Sequence, residues 1–382
     1  MTRFQSRSRA LRVLRSGRLP SPAFWGVMAL VWSAAPAGAL DLRLDYGHDA
    51  AAENFFTTFP AAKAALDQAA LDVGGLISAG PTAISNDYFL GTSGPAQVAF
   101  DLDLRYRNPS SGVMRQLDTY FVAAGEVIIF AGTQALPENK LAYSEISTVK
   151  ATISADTAGT AIEKQAATGM AAADAEAVWR RGGQGPVFNT LSGPVSLDGT
   201  TVNFVADMGP VAASVWFDTD TNNNGDADTP AQLESYWHFD HTTLPPANKF
   251  DFYSTALHEL LHGIGLGTSQ THGLLLGDGG GQTTWLGTQA QALNGGSAFD
   301  LADADGQHIR EGLLSPRLSD GVLQEALMDP TIGVGERKEL TQMDLAFLYD
   351  LGWGAAAPVP EPGVLAWLGL ALVLRRRRTP AR

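Results

Sequence analysis

The stretch HELLHGIGLG, His258 to Gly267, decides how the rest of the chain is read. Two histidines stand four residues apart, a glutamate follows the first, and glycines close the run. In the wider window FDFYSTALHELLHGIGLG (250–267), Tyr253, Ala256, Leu257, Leu260, Leu261 and Ile264 recur at helical spacing. The spacing predicts an amphipathic helix with Asp251 or Ser254 as its N-terminal cap. On that helix His258 and His262 share one face, so two imidazoles can hold one metal ion. Glu259 lies beside them, close enough to reach a water activated by the ion without ligating it, which is the division of labour of hydrolytic zinc. The competing reading is a core helix that carries two histidines by chance. With seven histidines in 382 residues, a chance H-E-x-x-H is rare.

A catalytic zinc needs three protein ligands. The chain has no cysteine, which excludes thiol catalysis, disulfide frameworks and thiolate-bound zinc. The third ligand must come from His, Asp or Glu downstream. The candidates are His308, then His272, then an acid among Asp300, Asp303 and Asp305.

Gly265 falls where the metzincin metalloproteases turn out of the active-site helix. The pattern of that clan is H-E-x-x-H-x-x-G-x-x-H or D. Here its last position is Thr268, so the compact form fails. Further on, GQHIREGLLSPRLSDGVLQEALMDP (306–330) resembles the leishmanolysin-type variant, in which an insertion separates the turn glycine from the third histidine. Ala326–Pro330 would then be the Met-containing turn, with Met328 as the floor beneath the zinc. The following KELTQMDLAFLYDLGW (338–353) resembles the closing helix of matrixin-like secreted proteases. The resemblance covers about residues 250–353. It implies His258, His262 and His308 as zinc ligands, with His272 as the alternative third. It also implies Glu259 as general base, Gly265 as the turn, and a protein or peptide substrate. The fold it implies is α+β: a twisted mixed sheet, an active-site helix and a loop-rich C-terminal subdomain, spanning residues 40–353.

Both ends read as address labels. Residues 1–39 hold six arginines and no acid, then an apolar run and small residues at Ala37 and Ala39, as in a cleavable signal peptide. After a linker at 354–358, Val359-Pro360-Glu361-Pro362, an apolar stretch to Leu374 and Arg375–Arg378 resemble the PEP-CTERM sorting signal of Gram-negative bacteria. These labels imply export, transient anchoring in the inner membrane, and contact with its sorting machinery. Without them, the body holds 15 basic against 39 acidic residues. That balance repels phosphates and argues against nucleic acid as a partner. The body is expected to be monomeric.

Between the labels, residues 62–77 and 161–180 read as helices, and 97–106 and 201–208 as strands; residues 120–132 read as one or two strands. ASVWFDTD (213–220) reads either as the edge strand along the cleft or as an internal strand. DTDTNNNGDAD (218–228) mimics half of an EF-hand loop, with Asp218, Asp220, Asn222, Asn224 and Asp226 as calcium ligands, but lacks the closing glutamate. A solvated turn competes with that reading. His238 and His241, with Asp240, are candidates for a second zinc or for packing, His48 reads as exposed, and the glycines of 277–281 read as an insertion. Two other functions remain open at this point. One is an exported matrix or surface-binding protein on a protease-like scaffold; the other is a calcium-dependent adhesin.

Overall fold

A computed structural model describes residues 39–354, except positions 53, 79, 118–120, 138–139, 157 and 303–305. The signal-like start and the sorting-like tail lie outside the described residues. Among those described, no helix is long and apolar enough to cross a membrane.

The chain begins with β1 (Asp41–Asp45), two single helical turns, α1 (Gly47–Ala50) and α2 (Phe55–Thr58), and the long α3 (Pro60–Gly75). Then come β2 (Tyr88–Ser93), β3 (Ala96–Arg107), β4 (Met114–Leu117), β5 (Glu126–Gln134), β6 (Ala142–Ile146) and β7 (Thr148–Ala155). Helix α4 (Ala161–Trp179) starts at a capping box made by Thr160 and Glu163. The small strands β8 (Asn189–Ser192), β9 (Val195–Leu197), β10 (Thr200–Val202) and β11 (Val205–Met208) pair as two hairpin ladders before β12 (Ala212–Asp218).

Two sheets result. The central one has the order β1-β5-β12-β6, with β1, β5 and β12 parallel and β6 antiparallel at one edge. The other is antiparallel, with β3 flanked by β2 and β4 on one side and by β7 on the other. Alternation along β5 explains how they stack. Val127, Ile129 and Ala131 face a core shared with α3 and the motif helix, whereas Ile128 and Phe130 face a core shared with the second sheet and α4. The α+β class read from the sequence holds. Residues 41–200 are part of this body, since β1 and β5 lie in the same sheet as β12 and fall in one compact unit with the motif.

One residue stitches the segments that join the two layers. Arg181 is fully buried and donates to Thr82 O, Ala123 O, Glu126 O and Pro210 O at 2.6–2.8 Å. Burial pulls its guanidinium down to about 10, still charged at neutral pH.

One local reading changes, at residues 201–208, and two that stood open are decided. Residues 120–132 contribute a single strand starting at Glu126, because Val122 makes only an isolated bridge to Ile84. Residues 201–208 are split between β10 and β11. The segment at 213–220 is not the cleft edge. As β12 it is buried along its whole length between β5 and β6, and β6 is the edge.

The second half of the chain follows β12. It comprises α5 (Pro230–Tyr236), paired β13 (Trp237–His238) and β14 (Phe250–Asp251), the motif helix α6 (Phe252–Gly263) and α7 (Gln270–Leu274). An insertion then carries the sheet β15 (Leu276–Asp278), β16 (Thr283–Trp285) and β17 (Phe299–Asp300), with α8 (Thr288–Leu293). The hairpin of β18 (Leu314–Pro316) and β19 (Leu323–Glu325) leads to the closing helix α9 (Gln342–Asp350).

Candidate metal centre

Helix α6 begins where the sequence places it. Asp251 is the cap and accepts from Ser254 N at 3.1 Å, while Arg337 pairs with the same carboxylate at 2.8 Å. Its buried residues lock it over β12 and β6. The helix ends at Gly263, and two residues on the chain turns at Gly265, whose φ of +110° is open to glycine and strained for other residues. Gly267 is a second requirement that the sequence reading missed. A Cβ there would stand 2.9 Å from His262 Nδ1 and 2.8 Å from Gln307 O. Trp353 closes the helix end by donating its indole N–H to Ile264 O at 3.0 Å.

His258, His262 and His308 come together, with one ligand atom from each lying within 4.8 Å of the others. His272 does not join them. His258 Nδ1 lies 3.0 Å from Leu327 O, and His262 Nδ1 lies 2.7 Å from Leu266 O. A carbonyl can only accept, so both Nδ1 atoms carry the proton and both Nε2 lone pairs point into the site. Burial, reinforced by the neighbouring histidines, drives His258 down to about 3 and His262 well below its ordinary value. Neutral imidazole is the form that ligates a metal. His262 Nε2 and His308 Nε2 are 3.2 Å apart. Tetrahedral ligands at about 2.0–2.1 Å from one ion are separated by about 3.3 Å; the His262–His308 pair meets that spacing, and the three donors together could hold a metal ion.

Glu259 stands next to this cluster, 6% exposed, with Oε2 buried and without a hydrogen-bond partner. Burial raises its carboxyl to about 8. A buried carboxylate oxygen without a partner costs stability, and a cation and a water at its side would offset that cost.

The turn Ala326–Pro330 links the ligands. Leu327 O accepts from His258 Nδ1, and Met328 O accepts from Ile309 N at 2.8 Å, one residue beyond His308. Met328 is fully buried. Asp344 on α9 holds this turn, a role the sequence reading did not find. Its carboxylate accepts from Leu327 N and Met328 N at 3.1 Å each, and from Thr341 N and Oγ1 at 2.8 and 2.7 Å. Its only sequence signal was the capping box Thr341–Asp344, which marks a helix start and nothing more distant. Lys338, also buried, donates to Asp329 and to Thr331 O at 2.7 and 2.8 Å and steadies the far side of the turn.

The cluster opens into a cavity of about 820 Å³. It is lined by β6 with its flanking residues, Lys140–Ile146, and by Pro330–Ile332. Tyr236, Phe250 and Thr255 also line it. Comparison with protein-family models, with curated proteins and with solved structures finds no match for this chain. The site must therefore be read from its own chemistry.

The other candidate residues have different employment. His272 accepts from Gly267 N at Nδ1 and donates to Gly306 O from Nε2, which removes it as a ligand. Asp300 pairs with Thr284 in the insertion sheet, and Asp303 and Asp305 lie outside the described residues. In the acidic loop, Asp218 accepts from Leu136 N and Asp220 N, Asp220 from Asn224 N and Gly225 N, and Asn224 from Asp226 N. Asn222 donates to Asp228. These oxygens order the loop through backbone amides, and among the described residues the histidine triad is the group of three or more His, Asp or Glu side chains that could hold a metal ion. His238 bonds Thr243, and Asp240 caps the same turn. His48 is half-buried, with Nε2 2.9 Å from the Tyr106 hydroxyl and Nδ1 3.1 Å from Asn108 Nδ2, instead of exposed.

Proposed function

We propose that the chain is a secreted zinc-dependent endopeptidase with a metzincin-like fold. The observation that carries this reading is the buried, partnerless Glu259 Oε2 beside three imidazoles whose lone pairs converge. His258, His262 and His308 would hold the ion. Zinc held there supplies Lewis acidity, which makes water acidic near neutrality and polarises a peptide carbonyl. Glu259 takes the proton of the attacking water at its carboxylate and returns it to the departing amine. Its low-dielectric setting favours the uptake of that proton, because burial disfavours the charged carboxylate. β6, as the free edge of the central sheet, orients a substrate by accepting it as an additional strand, through backbone bonds that are indifferent to side chains. The cavity beside it takes one substrate side chain. The two terminal labels support export to the surface of a Gram-negative cell, with the tail handled by inner-membrane sorting machinery.

The test is metal dependence. Hydrolysis of a casein-type substrate is expected to vanish after a chelator strips the protein and to return with one equivalent of zinc. A stripped, metal-free protein that cleaves as before would end this reading.

A further inference from the structure

The third ligand arrives 46 residues after His262, beyond an insertion with its own sheet. A ligand so remote in sequence keeps its place only where the returning loop is tied to the helix that bears the other two. One tie is the turn at Ala326–Pro330. A second, from the opposite side, is a buried imidazole. His272 is 3% exposed and its ring packs 4.8 Å from that of Trp285. Nδ1 accepts from Gly267 N at 3.0 Å, so the proton resides on Nε2, which donates to Gly306 O at 2.7 Å. Gly267 belongs to the turn pressed against the His262 ring, and Gly306 lies two residues before His308. The imidazole is itself fixed. Ser269 Oγ accepts from His272 N at 3.2 Å and donates to Gly265 O at 2.7 Å. A continuous chain of bonds therefore runs from the helix-ending turn through Ser269 and His272 to the His308 loop.

We propose that His272 is a positioning residue: its neutral ring, clamped between Gly267 N and Gly306 O, sets the spacing of His308 from the helix-borne pair. This rests on the reading of the triad as a metal centre, but not on proteolysis. Losing an outer tie of this kind lowers metal affinity by about 10- to 100-fold.

Two variants separate the bonds. In His272→Gln, the side-chain nitrogen reaches the Nε2 position and retains donation to Gly306 O. In His272→Asn, the oxygen stops at the Nδ1 position and retains only acceptance from Gly267 N. His272→Phe keeps the ring against Trp285 and neither bond. Each is read by zinc affinity in competition with a chromophoric chelator, by the visible absorption of the cobalt(II)-loaded protein, and by melting of the metal-free protein. Asn and Phe are expected to bind zinc about 10- to 100-fold more weakly, with an altered cobalt spectrum. Gln is expected to stay near the unchanged protein in both. Melting of the metal-free Gln and Asn variants should be alike, which a merely structural role would not give together with unequal metal binding. Equal affinities for Asn and the unchanged protein, or equal losses for Asn and Gln, overturn the role of His272. An unchanged protein that takes up neither zinc nor cobalt overturns the metal centre itself.

Discussion

Glu259→Gln is expected to leave a folded protein that binds zinc as the unchanged chain does and hydrolyses peptides about 10²- to 10⁴-fold more slowly. Glutamine fills the same volume and retains a carbonyl oxygen, so the helix and the three ligands are undisturbed. What it cannot do is take a proton from water. Stability should not fall, because the substitution removes a buried carboxyl with a partnerless oxygen. The measurement is kcat/KM on a peptide substrate alongside zinc content and melting temperature. A rate within tenfold of the unchanged protein, at equal zinc content, would remove Glu259 from the chemistry.

Asp344→Ala should give the largest loss of stability near the site. The carboxylate has no exposure and accepts from three backbone amides and one hydroxyl. Alanine leaves the amides of Leu327, Met328 and Thr341 in the interior without an acceptor. At roughly 1–3 kcal/mol for each such group, relaxation included, the net cost is about 3–5 kcal/mol. The damage reaches the centre because Leu327 O is the acceptor that fixes the His258 tautomer. Zinc affinity is therefore expected to fall by about 10- to 100-fold as well. Denaturant unfolding of the metal-free protein checks the first effect, through a lower midpoint at unchanged slope, and chelator competition checks the second. A loss below about 1 kcal/mol would mean that the turn is held by other contacts.

The helix-borne residues of the candidate centre were legible because their physics is local, whereas His308 was reached through the resemblance of residues 306–330. The helix spacing of His258 and His262, the cap at Asp251 and the need for a positive φ at Gly265 follow from a few neighbouring positions. The α+β class was legible for the same reason. What failed is non-local. β12 was open to reading as an edge, although its mostly apolar run, AASVWFD, without alternating polar residues, is what burial on both faces produces. The actual edge, AYSEI, is short and mixed, and no sequence pattern sets it apart. The loop from Asp218 to Asp228 has the composition of a calcium loop and of an Asn/Asp turn alike. Its amides donate to its own carboxylates, which orders the loop under either reading. His272 could be weighed as a ligand but not as a tie, since both of its backbone partners are defined by the fold. Asp344 was hidden in the same way behind an ordinary helix cap.

The account depends on three histidines acting as one metal cage. Crystals of the protein grown with zinc, with data collected on both sides of the zinc absorption edge, test this most directly. One anomalous peak in contact with the Nε2 atoms of His258, His262 and His308, with Glu259 beside it and not bound to it, is the expected result. A peak located elsewhere, or zinc held by the helix pair while His308 points away, would contradict it.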